Sequence, residues 1–290
     1  LIYIKRINDF RQVEQVYKAL IVYLRRQRKS MATQRKGNLI RRVLYRLLPL
    51  ESYLYVLSQL FFLSFRSGAL RKNTIYDYYY FLDRIIQPGD TCLDIGANLG
   101  YMSVLLARLS GKKGHVLAIE PVKPVRSVLE KNTRQYPQIT ILPYALGAEN
   151  KSIQLGNDSL HQKGFVASGS HFVLDQPGKQ VDVTFAAEMR RGSELFAGLG
   201  KIDFIKCDIE GYEIVVLPEL KELINQHRPI LLVETVGDNR QKLIKLFAQL
   251  SYQAYELYEG QLFLAKADHT KDILFIPEEK TSAYQAFLKT

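Results

Sequence analysis

The spacing of apolar positions changes along the chain, and the change divides it. Over residues 39–48, Leu39, Ile40, Val43, Leu44, Leu47 and Leu48 recur at helical spacing while Arg41, Arg42 and Arg46 take the other side, which predicts a basic amphipathic helix. Pro49 interrupts it, and a second, more apolar helix is predicted from Ser52 to Phe65. Further on, short apolar runs of strand length alternate with segments of helical period. Strands are predicted at Thr91–Asp94, His115–Ile119, Ile139–Leu142, Ile202–Cys207 and Pro229–Val233, with helices over 101–109, 124–136, 213–226 and 239–250 between and after them. Tyr252–Leu257 and Gln261–Ala265 flank Tyr258-Glu259-Gly260 and read as a hairpin. Such alternation predicts an α/β fold, a parallel sheet with right-handed crossovers closed by one antiparallel hairpin strand. The stretch Gly147–Gln180 breaks the rhythm, with strands expected only at Ser152–Leu155 and, just beyond it, Val181–Phe185; a loop this long in a compact domain is usually functional or disordered.

Charge follows the same division. The chain of 290 residues carries a formal charge of +11, but residues 1–86 hold 17 Lys and Arg against 5 Asp and Glu, which leaves the remainder nearly neutral. A basic helical front, residues 1–75, is therefore expected before a body of residues 76–290, and the localised charge makes nucleic acid an unexpected partner. Two readings of the front stay open: peripheral contact with an anionic membrane, or packing across the body with a solvated basic face. Only 14 residues separate Glu51 from Arg66, fewer than the roughly 18–20 that a spanning helix needs. The expected location is cytoplasmic, peripheral at the membrane if the first reading holds, and Leu rather than Met at position 1 leaves room for sequence upstream. Cys92 and Cys207 lie in apolar strand runs and are expected as buried thiols.

The chemistry concentrates where strands end. The loop Ile95-Gly-Ala-Asn-Leu-Gly100 joins the first strand to its helix, and Glu120-Pro121 closes the next strand, the general layout of a nucleoside site. A dinucleotide fingerprint needs glycine where this chain has Asn98 and Tyr101, so a pyrophosphate is disfavoured; an NAD-dependent oxidoreductase is the rival reading that suffers. A ligand with a ribose and a carboxylate fits better: Glu120 can accept from ribose hydroxyls and the helix start at Tyr101 favours an anion. S-adenosylmethionine meets those terms.

Asp94-Ile-Gly-Ala-Asn-Leu-Gly100, Ile119-Glu-Pro121, Ala145-Leu-Gly147, Phe204-Ile-Lys-Cys-Asp-Ile-Glu-Gly-Tyr-Glu213 and Leu231-Leu-Val-Glu234, in this order, resemble the FkbM family of S-adenosylmethionine-dependent methyltransferases over roughly residues 76–265. The resemblance implies a class I methyltransferase fold, a Rossmann-like, mostly parallel sheet of seven strands in the order 3-2-1-4-5-7-6 with one antiparallel strand. It implies methyl transfer to a hydroxyl, often of a saccharide, a glycolipid or a natural-product scaffold. Carried over by motif, Asp94, Gly96, Ala97, Asn98, Gly100 and Tyr101 would shape the methionine end of the cofactor site, Glu120 and Pro121 the ribose end, and Ala145 and Leu146 the adenine flank, with Asp208 bordering the cofactor.

Asp208, Glu210 and Glu234 are the candidates for chemistry, because carboxyl groups at the carboxyl ends of central parallel strands face the crevice where open α/β sheets bind ligands. A carboxylate near a hydroxyl can take its proton. Competing readings stand beside this one. Asp208 is also suited to cap the following helix, Glu213 is expected to be an exposed first-turn residue complementing the helix dipole, and Lys206 shares a face with Asp208 and is expected to pair with it. The same three carboxylates suit magnesium or manganese. His161 and His171 flank the Gly-rich loop as alternative bases, with surface positions expected for both. Tyr101, Tyr144 and Tyr212 are suited either to line the pocket or to pack in the core. A catalytically inactive, membrane-associated adaptor of the same fold remains the non-enzyme alternative.

Overall fold

The computed structural model describes residues 32–174, 181–235, 237–266, 269 and 272–289. The first 31 residues of the expected basic front and residues 175–180 of the irregular stretch lie outside them. Helices α1 (Ala32–Leu47) and α2 (Leu50–Arg66) meet at Pro49, whose ring cannot continue α1 but is tolerated ahead of α2.

The central sheet is built from β1 (Thr91–Ile95), β2 (His115–Ile119) and β3 (Ile139–Leu142) on one side, with β8 (Phe204–Cys207) and β9 (Ile230–Val233) beyond β1. Four further strands intervene in the chain, β4 (Tyr144–Gly147), β5 (Lys151–Asn157), β6 (His171–Val173) and β7 (Val183–Arg191), and four follow, β10 (Tyr252–Tyr258), β11 (Gln261–Leu264), β12 (Ile273–Pro277) and β13 (Leu288–Lys289). The sheet order is β3-β2-β1-β8-β9-β12-β10-β11-β13. Its first seven strands have the 3-2-1-4-5-7-6 order implied by the resemblance, with the pairs β3 to β9 all parallel.

The antiparallel strand is not the one the hairpin suggested. β12 inserts between β9 and β10, antiparallel to both, while β11 and β13 extend the sheet outward as two added edge strands. The five residues Ile273–Pro277 are wholly buried, as befits a strand covered on both faces. The irregular stretch is likewise more ordered than its composition suggested: β4, β7, β5 and β6 form a second sheet in that order, inserted between β3 and β8.

Cys92 and Cys207 are free and buried, as expected. The helical front shares its core with the body. Leu44, Leu48, Tyr53, Leu54 and Val56 of α1 and α2 pack with Leu99, Val122, Val125 and Val128 of the central unit and with Leu155 and Phe165 of the insertion. The boundary expected near residue 75 thus does not coincide with a break in packing. No helix among the described residues is long and apolar enough to cross a membrane.

Candidate active site

At the carboxyl ends of β1, β2, β8 and β9 the chain leaves a crevice of about 210 Å³, roofed by the inserted sheet. Its floor is the glycine loop. Gly96, with φ at +77°, lies so close to β8 that a Cβ there would stand 2.0 Å from the Asp208 carbonyl oxygen, so only glycine fits. Gly100 (φ +86°) would drive a Cβ to 2.7 Å from Leu129 and serves the packing of the loop on the helix Lys123–Thr133. Asn98 between them also takes a left-handed conformation, φ +52°.

One buried cation holds these strand ends together. Asp94 on β1 and Lys206 on β8 are direct register partners in adjacent parallel strands. The Lys206 ammonium lies 3.8 Å from Asp94, donates to the Gly96 carbonyl at 2.8 Å and pairs with Asp208 at 3.2 Å. Burial opposes its charge, but Asp208 and Asp94 outweigh that and hold the ammonium well above its ordinary range. Asp94 is wholly buried and accepts from the Ser103 hydroxyl at 2.5 Å. It orients Lys206 from beneath and does not line the crevice.

Glu120, at the end of β2, is buried and faces the crevice. Its two carboxyl oxygens accept from the backbone N–H groups of Asn98, at 3.0 Å, and Val122, at 2.9 Å. Burial lifts it to about 7 against those two hydrogen bonds. The expected catalytic trio converges here, since Asp208, Glu210 and Glu234 all line the crevice. They do not carry equal charge. Burial acts to raise Asp208, but Lys206 beside it and the hydrogen bond from Glu234 hold it below its usual range. Glu234 rises to about 9 through burial and the neighbouring Asp208 charge, so at neutral pH it keeps its proton and donates to Asp208. Glu210, held out on a left-handed residue (φ +56°), is pushed up to about 7 by burial, Asp208 and Glu213.

Several expectations are corrected. Glu213 is not an exposed dipole partner: it is 2% exposed, and its Oε1 accepts from the N–H groups of Ile209, at 2.7 Å, and Gly211, at 3.3 Å, closing the turn that carries Glu210. That turn leaves Asp208 free of any capping role, and the helix Glu213–Glu219 has no side-chain cap. The metal reading gains no support from the donor set. Asp208 is already paired with Lys206, and no group of three or more His, Cys, Asp or Glu able to hold an ion occurs among the described residues.

Of the residues read as cofactor-binding, Gly96, Asn98, Glu120, Pro121, Ala145, Leu146 and Asp208 line the crevice, while Asp94, Ala97, Gly100 and Tyr101 do not. Ala97 packs against Ala118 and Leu129, and the Tyr101 ring turns away to meet Phe61 at 4.1 Å between centroids. Tyr144 and Tyr212 do line the crevice.

His171 is the larger surprise. His161 is exposed, as expected, but His171 sits in the crevice wall at the start of β6, its ring edge-on to Phe185. Burial depresses it to about 4, so the ring is neutral. Nδ1 lies 2.9 Å from the Ser168 carbonyl and must carry the proton; Nε2 is buried, without a partner, and bears the lone pair. Sequence spacing offers no sign of this, because the inserted sheet that buries the ring is formed by distant pairing of β5 with β7.

Replacing Lys206 with Met is expected to cost about 3–5 kcal/mol of stability, since it leaves the Asp94 and Asp208 carboxyl groups without their cation. The loss should shrink as the pH falls and those carboxyl groups take up protons. Thermal unfolding across pH 4–8 measures both; a variant as stable as the parent at pH 8 contradicts the assigned role.

Comparison with known proteins agrees with the motifs. The model described as the methyltransferase FkbM domain matches residues 94–257, more than half of the chain, and one described as protein-L-isoaspartate(D-aspartate) O-methyltransferase matches residues 17–142. The AMB antimetabolite synthetase AmbE of Pseudomonas aeruginosa is 28% identical over 178 residues, 50% of this chain and 8% of the synthetase. A protein-L-isoaspartate O-methyltransferase of Methanococcus aeolicus is 25% identical over 115 residues, 40% of this chain and 48% of that enzyme. The chain thus spans less than half the length of these curated relatives. The crystal structure of methyltransferase FkbM from Methylobacillus flagellatus aligns at 16% identity over 82% of this chain and 58% of that chain, with a TM-score of 0.43. With the FkbM match running from Asp94 of the glycine loop through Glu120, Asp208 and Glu234 to β10, the chain belongs to the FkbM methyltransferase family.

Proposed function

We propose that this chain is an S-adenosylmethionine-dependent O-methyltransferase whose acceptor is a hydroxyl of a saccharide, a glycolipid or a natural-product scaffold. The observation that carries the reading is Glu120, a buried carboxyl group at the end of β2 whose oxygens are already aimed by two backbone N–H groups into the crevice. Such a carboxylate suits the two hydroxyls of a ribose. The cradle around it fits the rest of the cofactor: Gly96 and Asn98 line the crevice, and the Asn98 Oδ1 is buried without a partner. Ala145, Leu146 and Ile119 offer an apolar flank for adenine. Asn98 and Tyr101 stand where a dinucleotide fingerprint has glycine, against the NAD alternative.

The bound cofactor supplies an electrophilic methyl on a sulfonium. The chain's part is to hold the acceptor and take its proton. Asp208 is committed to Lys206, and Glu234 is protonated, so neither is a ready base at neutral pH. Glu234 and Glu210 are better suited to hydrogen-bonding the acceptor's other hydroxyls. The Nε2 of His171 carries an unpartnered, buried lone pair and its Nδ1–H is fixed by Ser168, so we assign the acceptor's proton to Nε2, a weak base because burial depresses the ring to about 4. His171→Asn keeps a donor near Ser168 and removes Nε2. It is expected to bind S-adenosylhomocysteine within about twofold of the parent while lowering turnover roughly 10²- to 10⁴-fold; undiminished turnover removes His171 as the base.

Glu120 gives the cofactor site a pH signature. A group with a pKa near 7 in the free protein must be ionised to accept from ribose, so affinity rises with pH. Binding of S-adenosylhomocysteine should strengthen about tenfold between pH 6 and pH 8 and then level off. Glu120→Gln should weaken binding and flatten the profile. A parent profile without pH dependence takes ribose recognition away from Glu120. The reading as a whole is tested by offering labelled S-adenosylmethionine with simple glycosides and lipid-linked sugars: label in an ether supports it, and label confined to carboxyl or nitrogen acceptors overturns it.

A further inference from the structure

The amphipathic helix α1 has two dissimilar faces. One is consumed by the fold, with Leu44 and Leu48 buried among Tyr53, Leu155 and Phe165. The other is not. Leu39 and Val43, one turn apart, are 60% and 48% exposed, and Arg42 and Arg46 are exposed beside them, while Arg41 turns back over Phe165; no acidic residue lies between Asn38 and Leu48. Two large aliphatic side chains one turn apart beside arginines, with no acidic residue between, make a basic amphipathic face.

The charge narrows what covers that face. A second copy of this face would set arginines against arginines. The segment before α1 has the same sign, with 8 Lys and Arg against 2 Asp and Glu in residues 1–31, and so is no electrostatic complement either. A nucleic acid would satisfy the arginines but has no use for Leu39 and Val43. An anionic bilayer satisfies both, with the guanidinium groups at the headgroups and the two aliphatic side chains at the acyl boundary. We propose that the exposed face of α1, centred on Leu39, Val43 and Arg46, is a docking surface for anionic lipid membranes.

The attachment of this helix gives the contact a consequence. Arg42 Nε donates to the Lys163 carbonyl at 2.8 Å, and Arg41 lies over the Phe165 ring at 5.7 Å. Leu155, in the same apolar cluster as Leu44, lines the crevice itself. Docking through α1 therefore fixes the orientation of the crevice relative to the bilayer.

This proposal does not depend on the methyltransferase reading, and its test uses no cofactor. The full chain is sedimented with phosphatidylcholine vesicles, with and without phosphatidylserine, at low and high salt. The expected result is binding to the anionic vesicles at low salt, release at high salt and none to the neutral ones. Leu39→Glu combined with Val43→Glu should reduce binding at least tenfold while leaving the unfolding temperature unchanged, because neither side chain is part of the core. Leu39→Ser with Val43→Ser, which adds no charge, should also weaken binding and serves if the first pair disturbs the fold. Three outcomes overturn the proposal: no binding to anionic vesicles at low salt, parental binding by the Ser pair, or tighter binding to duplex RNA than to vesicles with both pairs unaffected.

Discussion

A single ammonium group sets the geometry on which the crevice depends. Parallel strands β1 and β8 place Asp94 and Lys206 side by side in register, and alternation along β8 returns Asp208 to the same face. Lys206 thus reaches a buried carboxyl beneath it, the Gly96 carbonyl beside it and the Asp208 carboxylate above it. The glycine loop can lie against β8 only because Gly96 has no side chain, and the Lys206 bond keeps it there. Neither feature works alone: without glycine the loop cannot approach, and without the lysine two carboxyl groups lose their counter-charge at the point of closest approach.

From this follows the electrostatic division of the site. Negative charge in the crevice settles on Asp208, where Lys206 balances it, and Glu234 in turn becomes a hydrogen-bond donor. Glu120 and Glu210 are both pushed up to about 7, Glu120 by burial and Glu210 by burial and the neighbouring Asp208 and Glu213 charges. The inserted unit contributes a mostly apolar lining, with Tyr144, Ser168 and His171 as its polar members. Paired carboxyl groups with separated pKa values and a neutral imidazole are what the proposed orienting of acceptor hydroxyls and receipt of a proton rest on.

Much of this was legible in the sequence because it is local. The glycine loop, Glu120, and Asp208 with Glu210 each follow a short apolar strand, so strand length and strand end locate them without knowledge of the fold. What was hidden depends on long-range pairing. Ile273–Pro277 is a short apolar run with no alternation, and only its insertion between β9 and β10 makes it the antiparallel strand of the sheet. Glu213 looked solvent-facing because first-turn acids usually are, but the left-handed residues Glu210 and Gly211 fold the chain back so that two N–H groups point at it. His171 acquired its role from the sheet that closes over it, and Tyr101 lost its expected one to the aromatic side chains of α2. The helical front was read as separable on charge, yet it is joined to the body by apolar contacts on the face the charge does not occupy.

The Lys206-centred crevice is proposed here as a nucleoside site for S-adenosylmethionine and not for a dinucleotide. Isothermal titration calorimetry of the full chain with S-adenosylmethionine and, in parallel, NAD tests it most directly. One saturable site for S-adenosylmethionine is expected, with no detectable heat from NAD. Binding of NAD with S-adenosylmethionine ignored, or of neither, contradicts it.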